Sequence, residues 1–420
     1  MKQNINRRAR GIAWLCTLVY FASYLMRTNF AVMIAKICED MGETKTALSV
    51  ILTGMTIFYG VGQVINGFLG DRIPPNRMLT CGLALAALCN AGMFFCSSIP
   101  LMTAVWCING FAHAMLWPPI VRLLSTYLND EEYSYAAVRV SWGSSFATIF
   151  LYLVCPLLLP YLSWRTIILS LAVIGAVIAA VWTLLFPRLF TKPASAKTSE
   201  EDTSENAPAT TRKGVPLPLS VLFPVLLIFL GIVLQGMLRD GVTNWMPSLL
   251  SESFGISVEN SIFYTVILAV FSILSFSAAN LLHRKLFRNE VTCAGAIFVL
   301  STAMSALLFL LQGSAVASIL LMAVVVAAMH GINLMLITVV PKRFVKSGKV
   351  STFSGILNAG TYVGSAIATP AFAAIAEHFG NWSVTILVWT VISLLGALVC
   401  LVAVPAWNSF RKNYAENPNV

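Results

Sequence analysis

Two arginines interrupt apolar stretches of this sequence. Arg27 lies in Tyr24-Leu-Met-Arg-Thr-Asn-Phe30, and Arg239 in Met237-Leu-Arg-Asp-Gly-Val242, at the end of the run Leu219 to Leu238. A guanidinium in hydrocarbon is costly, so such a residue marks a functional site or has a partner. Its planar fork binds phosphate or carboxylate bidentately, and two forks facing one cavity would make an anion receptor. The plainer alternative is that each arginine snorkels, or pairs with a carboxylate such as Asp240. His113 and His330 also stand in apolar runs, each as readable as a packing residue as a cavity residue. No Gly-rich phosphate loop, Ser/His/Asp set or metal-ligand spacing accompanies them. The expectation is therefore no catalysis, no cofactor and no metal, with any solute movement driven by gradients or exchange.

The elements that position these residues follow from composition. The chain of 420 residues is 58% hydrophobic and only 10% charged, with mean hydropathy +0.81. A soluble domain carries about a quarter charged residues, so this much apolar surface needs lipid to cover it. Runs long enough to cross about 30 Å of hydrocarbon number about twelve. The first six are Gly11 to Ile37, Leu48 to Leu69, Met78 to Phe95, Leu101 to Leu128, Ala136 to Leu159 and Thr166 to Phe186. The next six are Leu219 to Leu238, Ile262 to Leu282, Val291 to Leu311, Ala315 to Val340, Ser354 to Ile375 and Val384 to Val404. The expected fold is thus an all-α membrane protein of twelve transmembrane helices in two pseudo-symmetric six-helix bundles. The bundles would be 1–187 and 218–420, joined by a cytoplasmic linker at 188–217. Within that linker Thr191 to Lys213 is rich in Ser, Thr, Pro, Ala and Glu and cannot bury apolar area.

The formal charge of +10 does not point to nucleic acid, because the basic residues sit in short loops between apolar runs. Arg72, Arg77, Arg188, Lys192, Arg284, Lys285, Arg288, Lys342, Arg343, Lys346, Lys349, Arg411 and Lys412 all fall on one side. The loops Ser97 to Pro100 and Gln312 to Ser314 on the other side are uncharged. Positive residues face the cytoplasm, so both termini and the linker belong there. A weak repeat supports two halves: Arg27 is followed by Asp40-Met-Gly42, and Arg239 by Ser253-Phe-Gly255. Asp71 beside Arg72 and Arg77 suggests a charge clasp between helix ends, aided by the macrodipole of a nearby helix, that gates access.

Several motifs resemble a known family. "YFASYLMRTNF", with Tyr20, Tyr24, Arg27 and Asn29, is similar to the first span of organophosphate:phosphate antiporters of the major facilitator superfamily, which include glycerol-3-phosphate and hexose-phosphate transporters. "GFAHAMLWPPIVRLL" resembles that family's fourth span, "LRDGVTNWMPSLL" its seventh, and the stretch from "VPKRF" through "EHFGNW" its tenth-to-eleventh loop and eleventh span. "GFLGDRIPPNR" resembles a loop common to much of the superfamily.

The resemblance implies that Arg27 and Arg239 bind the substrate phosphate, with Tyr20, Tyr24 and Trp117 lining the same cavity. It also exposes departures: Gln63 stands where the family carries a lysine, and Ser145 where it carries a histidine. His113 replaces a usual glutamine and becomes a candidate titrating group. It lies four residues before Trp117, which on a continuous helix places both on one face. The expected function is exchange of a phosphorylated metabolite for inorganic phosphate by alternating access in the inner membrane. Two other readings stay open: a proton-coupled organic-anion symporter using His113 or His330, and a membrane sensor of sugar phosphate. The partners expected are a small anion, phosphate and the bilayer, with one copy sufficient for a complete pathway.

Overall fold

The computed structural model describes residues 5–190 and 215–417, and every regular element among them is helical. The expected linker segment Thr191 to Lys213 lies outside the described residues. The first half contains α1 (Arg7–Val32), α2 (Ile34–Met41), α3 (Lys45–Arg72), α4 (Pro75–Met93), α5 (Ile99–Ala114), α6 (Trp117–Tyr127), α7 (Asp130–Leu158) and α8 (Trp164–Leu189). The second contains α9 (Leu222–Phe254), α10 (Val258–Tyr264), α11 (Val266–Lys285), α12 (Glu290–Leu310), α13 (Ala315–Asn333), α14 (Val350–Phe379) and α15 (Ser383–Phe410). A π-turn (Leu334–Val339) and a 3-10 turn (Val340–Phe344) extend α13.

All twelve expected spans fall on these helices. Among the described residues, eleven helical segments are long and apolar enough to cross a membrane, which makes this a multi-pass membrane protein. The exception is α4, where Asn76, Arg77 and Asn90 lower the hydropathy of a 19-residue helix. Lipid also explains why Leu184 and Leu401 stand 71% and 70% exposed.

Local chemistry sets the breaks. Pro118 and Pro119 lack backbone N–H groups, so the expected fourth span divides into α5 and α6, with Trp117 first in the new helix. α9 continues through Pro247 for 33 residues, well past Leu238, and so places Arg239 about midway along it. α7 starts on a capping box in which Asn129 and Glu132 satisfy each other's backbone N–H. Gly42 ends α2 and Gly255 ends α9, both left-handed, at φ 67° and 64°. The sequence repeat thus carries a repeated backbone conformation.

Tertiary contacts gather the chain into two compact units. So far as they are described, the first takes in Met1–Gly143, Cys155–Pro216 and Val345–Gly355, and the second Ser144–Val154, Leu217–Phe344 and Ile356–Val420. In the first unit a knot of three fully buried amides ties α1, α4 and α5 together. Asn90 donates to the Met26 carbonyl at 2.9 Å and accepts from Asn29 at 2.8 Å, and Asn109 also donates to Met26 at 3.2 Å. Away from water each such bond is hard to replace, so the knot holds α1 in register one residue before Arg27. In the second unit Gln235, fully buried one turn before Arg239, donates to the Met329 carbonyl at 3.0 Å.

Candidate functional site

In the first unit, α1 brings Tyr20, Tyr24 and Arg27 to one face, since residues three and four apart align. The Arg27 guanidinium carbon lies 4.2 Å from the centre of the Tyr24 ring and 4.7 Å from that of Tyr59 on α3. The Tyr20 ring is 5.1 Å from Tyr24 and 4.9 Å from Trp117. Each cation–π contact is worth about 0.5–2 kcal/mol, more as water is excluded. The rings take the faces of the guanidinium, while its N–H donors lie in the plane, where they suit the oxygens of an anion. Tyr59 was not among the residues expected here; it joins Arg27 only through the packing of α3.

Unsatisfied polar atoms stand in this same unit. Gln63, one turn after Tyr59, is fully buried, and neither its amide oxygen nor its nitrogen has a hydrogen-bond partner. The buried indole Nε1 of Trp117 likewise has none. Leaving such a group unpaired costs about 1–3 kcal/mol, so water or a polar guest that reached it would stabilise the fold.

The structure corrects the reasoning about His113. The helix is interrupted at Met115 and Leu116, so four-residue spacing does not put His113 and Trp117 on one continuous face. His113 is 1% exposed, with Nδ1 3.1 Å from the Ser23 hydroxyl of α1 and a buried Nε2 without a partner. Ser145 is buried, at 5% exposure, and groups with the second unit. A further arginine passed over in the sequence, Arg139 on α7, lies 3.3 Å from the Tyr135 ring centre and 5.2 Å from that of Trp142. Aromatics four residues before and three after it were the available signal.

In the second unit the structure realises the pairing held open for Arg239. Its Nε and Nη2 donate to the two carboxylate oxygens of Asp240 at 2.6 and 2.9 Å. The Tyr362 ring centre lies 6.0 Å away. His330 on α13 sits with Nδ1 2.9 Å from the Val326 carbonyl and 3.2 Å from the Ser272 hydroxyl, its ring edge-on to Phe276.

The expected gate takes a different form from a side-chain clasp. Within the first unit Asp71 accepts the backbone N–H groups of Ser351 and Thr352, at 2.8 and 2.9 Å, in the first turn of α14. A carboxylate there meets the positive end of the helix dipole and its orphan donors. Arg72 is exposed, and Arg122 instead reaches the backbone, donating to the Gly70 and Ile73 carbonyls at 2.5 and 3.2 Å. The close approach requires Gly67: a Cβ there would lie 3.0 Å from the Ser351 carbonyl oxygen.

Comparison with known proteins agrees with this architecture. The family model described as Major Facilitator Superfamily matches residues 16–358. The glycerol-3-phosphate transporter of Bacillus subtilis is 24% identical over 388 residues, covering 87% of this chain and 85% of the relative. A probable sulfoacetate transporter of Cupriavidus necator is 23% identical, covering 96% of this chain and 95% of the relative. A probable hexose phosphate transport protein of Chlamydia trachomatis is 29% identical over a shorter stretch, covering 31% of this chain and 27% of the relative. Among solved structures, the proton:xylose symporter XylE superposes with a TM-score of 0.73 at 12% identity, covering 93% of this chain and 94% of that one.

Proposed function

The chain belongs to the Major Facilitator Superfamily, and on that premise we propose that this membrane transporter carries a small organic anion, most fittingly a phosphorylated metabolite exchanged for inorganic phosphate. The observation that carries this reading is the Arg27 guanidinium held over Tyr24 and Tyr59 within the apolar helix α1. An anion makes such a placement useful, because a fixed cation in hydrocarbon is otherwise a cost. Arg239, at the equivalent place in the repeat, supplies the second cation, and Tyr20, Tyr24, Trp117, Gln63, His113 and Ser145 contribute to recognition. The glycerol-3-phosphate transporter among the relatives supports a phosphate ester as the guest.

Transport proceeds by alternating access. Asp71 on the first turn of α14 biases the access equilibrium, with Arg72 beside it in the same loop. The protein lies in the inner membrane with both termini cytoplasmic, in keeping with the loop charges, and works as a single copy.

A second reading has a specific observation in its favour. Arg239 is already paired with Asp240, which suits a transporter that couples an organic anion to a proton.

Counterflow separates these readings. Proteoliposomes loaded with phosphate are challenged with labelled glycerol 3-phosphate, hexose phosphates, sulfoacetate and simple carboxylates. Uptake that requires internal phosphate supports exchange. Uptake that follows an imposed pH gradient without internal phosphate supports symport. Tight binding with no flux would replace both with a sensor.

A further inference from the structure

The fork of Arg239 already holds an anion, and that anion belongs to the chain. Asp240 occupies Nε and Nη2 with both carboxylate oxygens, at 2.6 and 2.9 Å. A bidentate phosphate or carboxylate would use that same edge. The two side chains are 15% and 23% exposed, shielded from bulk water without being sealed from it. Adjacent positions on a helix diverge by about 100°, so the pair closes only because Arg239 folds back along α9. It is a contact that can open without unwinding the helix.

We infer that Asp240 is an internal competitor for Arg239: the transported anion displaces its carboxylate, and the displaced carboxylate takes up one proton, so that anion binding and protonation are coupled. This rests on the reading of Arg239 as an anion-binding residue. The reason is electrostatic. Once its guanidinium turns to a guest, an ionised Asp240 would lie midway along an apolar helix with a second negative charge beside it. One O–H bond formed on Asp240 removes that repulsion. Arg239 keeps its charge, and the site gains one proton for each anion bound.

Of the elements packed on α9, α10 carries Glu259 and Tyr264, and the others bring these groups toward Asp240. From α13 comes His330, within electrostatic reach of both Arg239 and Asp240. From α14 come the Tyr362 ring and the Ser365 hydroxyl, which hydrogen-bonds to Asp240. α15 and the turn Leu334–Val339 carry no carboxylate, amine or imidazole, only the thiol of Cys400. Solvent is therefore the source of the proton. In an exchanger the proton would accompany the anion in both directions; in a symporter it would supply the drive.

The test measures binding of inorganic phosphate and of glycerol 3-phosphate to the full chain in detergent between pH 6 and 8. Wild type, Asp240→Asn and Asp240→Glu are compared. Both probes titrate in this range, so the readout is the difference between proteins. Binding that takes up a proton strengthens as pH falls, by up to about tenfold per unit. The expected result is that wild type and Asp240→Glu show this extra slope and Asp240→Asn lacks it, while binding at pH 8 at least as tightly as wild type. Parallel profiles for wild type and Asp240→Asn overturn the inference, as does loss of binding in a folded Asp240→Asn protein. Failure of folded wild type to bind either probe at any pH would instead remove the anion site itself, and this coupling with it.

Discussion

The Ser23 hydroxyl on α1 and Nδ1 of His113 on α5 lie 3.1 Å apart in a site that leaves His113 1% exposed. The contact joins two helices of one unit, and Arg27 on α1 acts electrostatically on the same imidazole. Buried from water, the ring serves the packing of α1 on α5. His113→Gln, which keeps a polar partner for Ser23, is therefore expected to leave the pH profile of anion binding parallel to that of wild type. His113→Leu orphans Ser23 and should lower stability by about 1–3 kcal/mol, read as a shift in the detergent melting curve. A flattened pH profile in His113→Gln would return the titrating role to His113.

The stack of Arg27 on Tyr24 and Tyr59 depends on a flat cation. Arg27→Lys keeps the charge but loses both the fork and the stacking, and exchange flux per folded protein should fall at least about tenfold. Tyr59→Phe preserves the ring face and should stay near wild type, whereas Tyr59→Leu should weaken anion affinity by roughly threefold to thirtyfold. Equal affinities for the Phe and Leu variants would show that the ring only fills space.

Asp71→Asn retains a hydrogen-bond acceptor at α14 but removes its charge. The loss of a carboxylate at a helix N-terminus is worth about 0.3–2 kcal/mol, enough to move an access equilibrium several-fold. Engineered cysteines on each side of the pathway should change their labelling rates while substrate affinity changes little. Unchanged labelling together with normal flux would reduce Asp71 to an ordinary loop charge.

Stability of the second unit should hinge on Glu290. Its side chain is fully buried and accepts from Arg343 at 3.0 Å and from the Trp407 indole at 3.1 Å, with Arg411 3.6 Å away. Glu290→Gln leaves Arg343 and Arg411 with the more exposed Glu416 as their carboxylate partner, a change expected to cost about 1–3 kcal/mol. The melting temperature should drop clearly, and a second substitution, Arg343→Met, should recover part of it. An unaltered melting curve for Glu290→Gln would contradict this.

The length of the apolar runs made the helices legible, because a membrane imposes a minimum span that composition reveals directly. The register of Tyr20, Tyr24 and Arg27 was equally open to reading, since helical spacing alone aligns them. Tyr59 was not, because its contact with Arg27 depends on how α3 lies against α1, which no periodicity encodes. The amide knot of Asn29, Asn90 and Asn109 escaped for the same reason, its members lying 61 and 19 residues apart. The break before Trp117 was announced by Pro118 and Pro119, yet hydropathy runs straight through it. Arg239 beside Asp240 was plain in the chain, but whether they pair depends on which way a long side chain folds.

The contact of Asp71 with α14 also bears on how this protein tolerates sequence drift. The carboxylate accepts the main-chain N–H groups of Ser351 and Thr352, and the Thr352 side chain adds a further hydrogen bond. Any amino acid but proline presents the same main-chain donor, so replacements at these two positions leave that part of the contact intact. Substitution of Asp71 itself, or of Gly67 whose missing side chain admits α14, has no such redundancy. In a set of natural variants, change should therefore accumulate faster at 351 and 352 than at 67 or 71, although the two sides touch directly. Neither 351 nor 352 should drift freely, because the Ser351 hydroxyl makes a further bond to the Pro118 carbonyl and the Thr352 side chain one to Asp71.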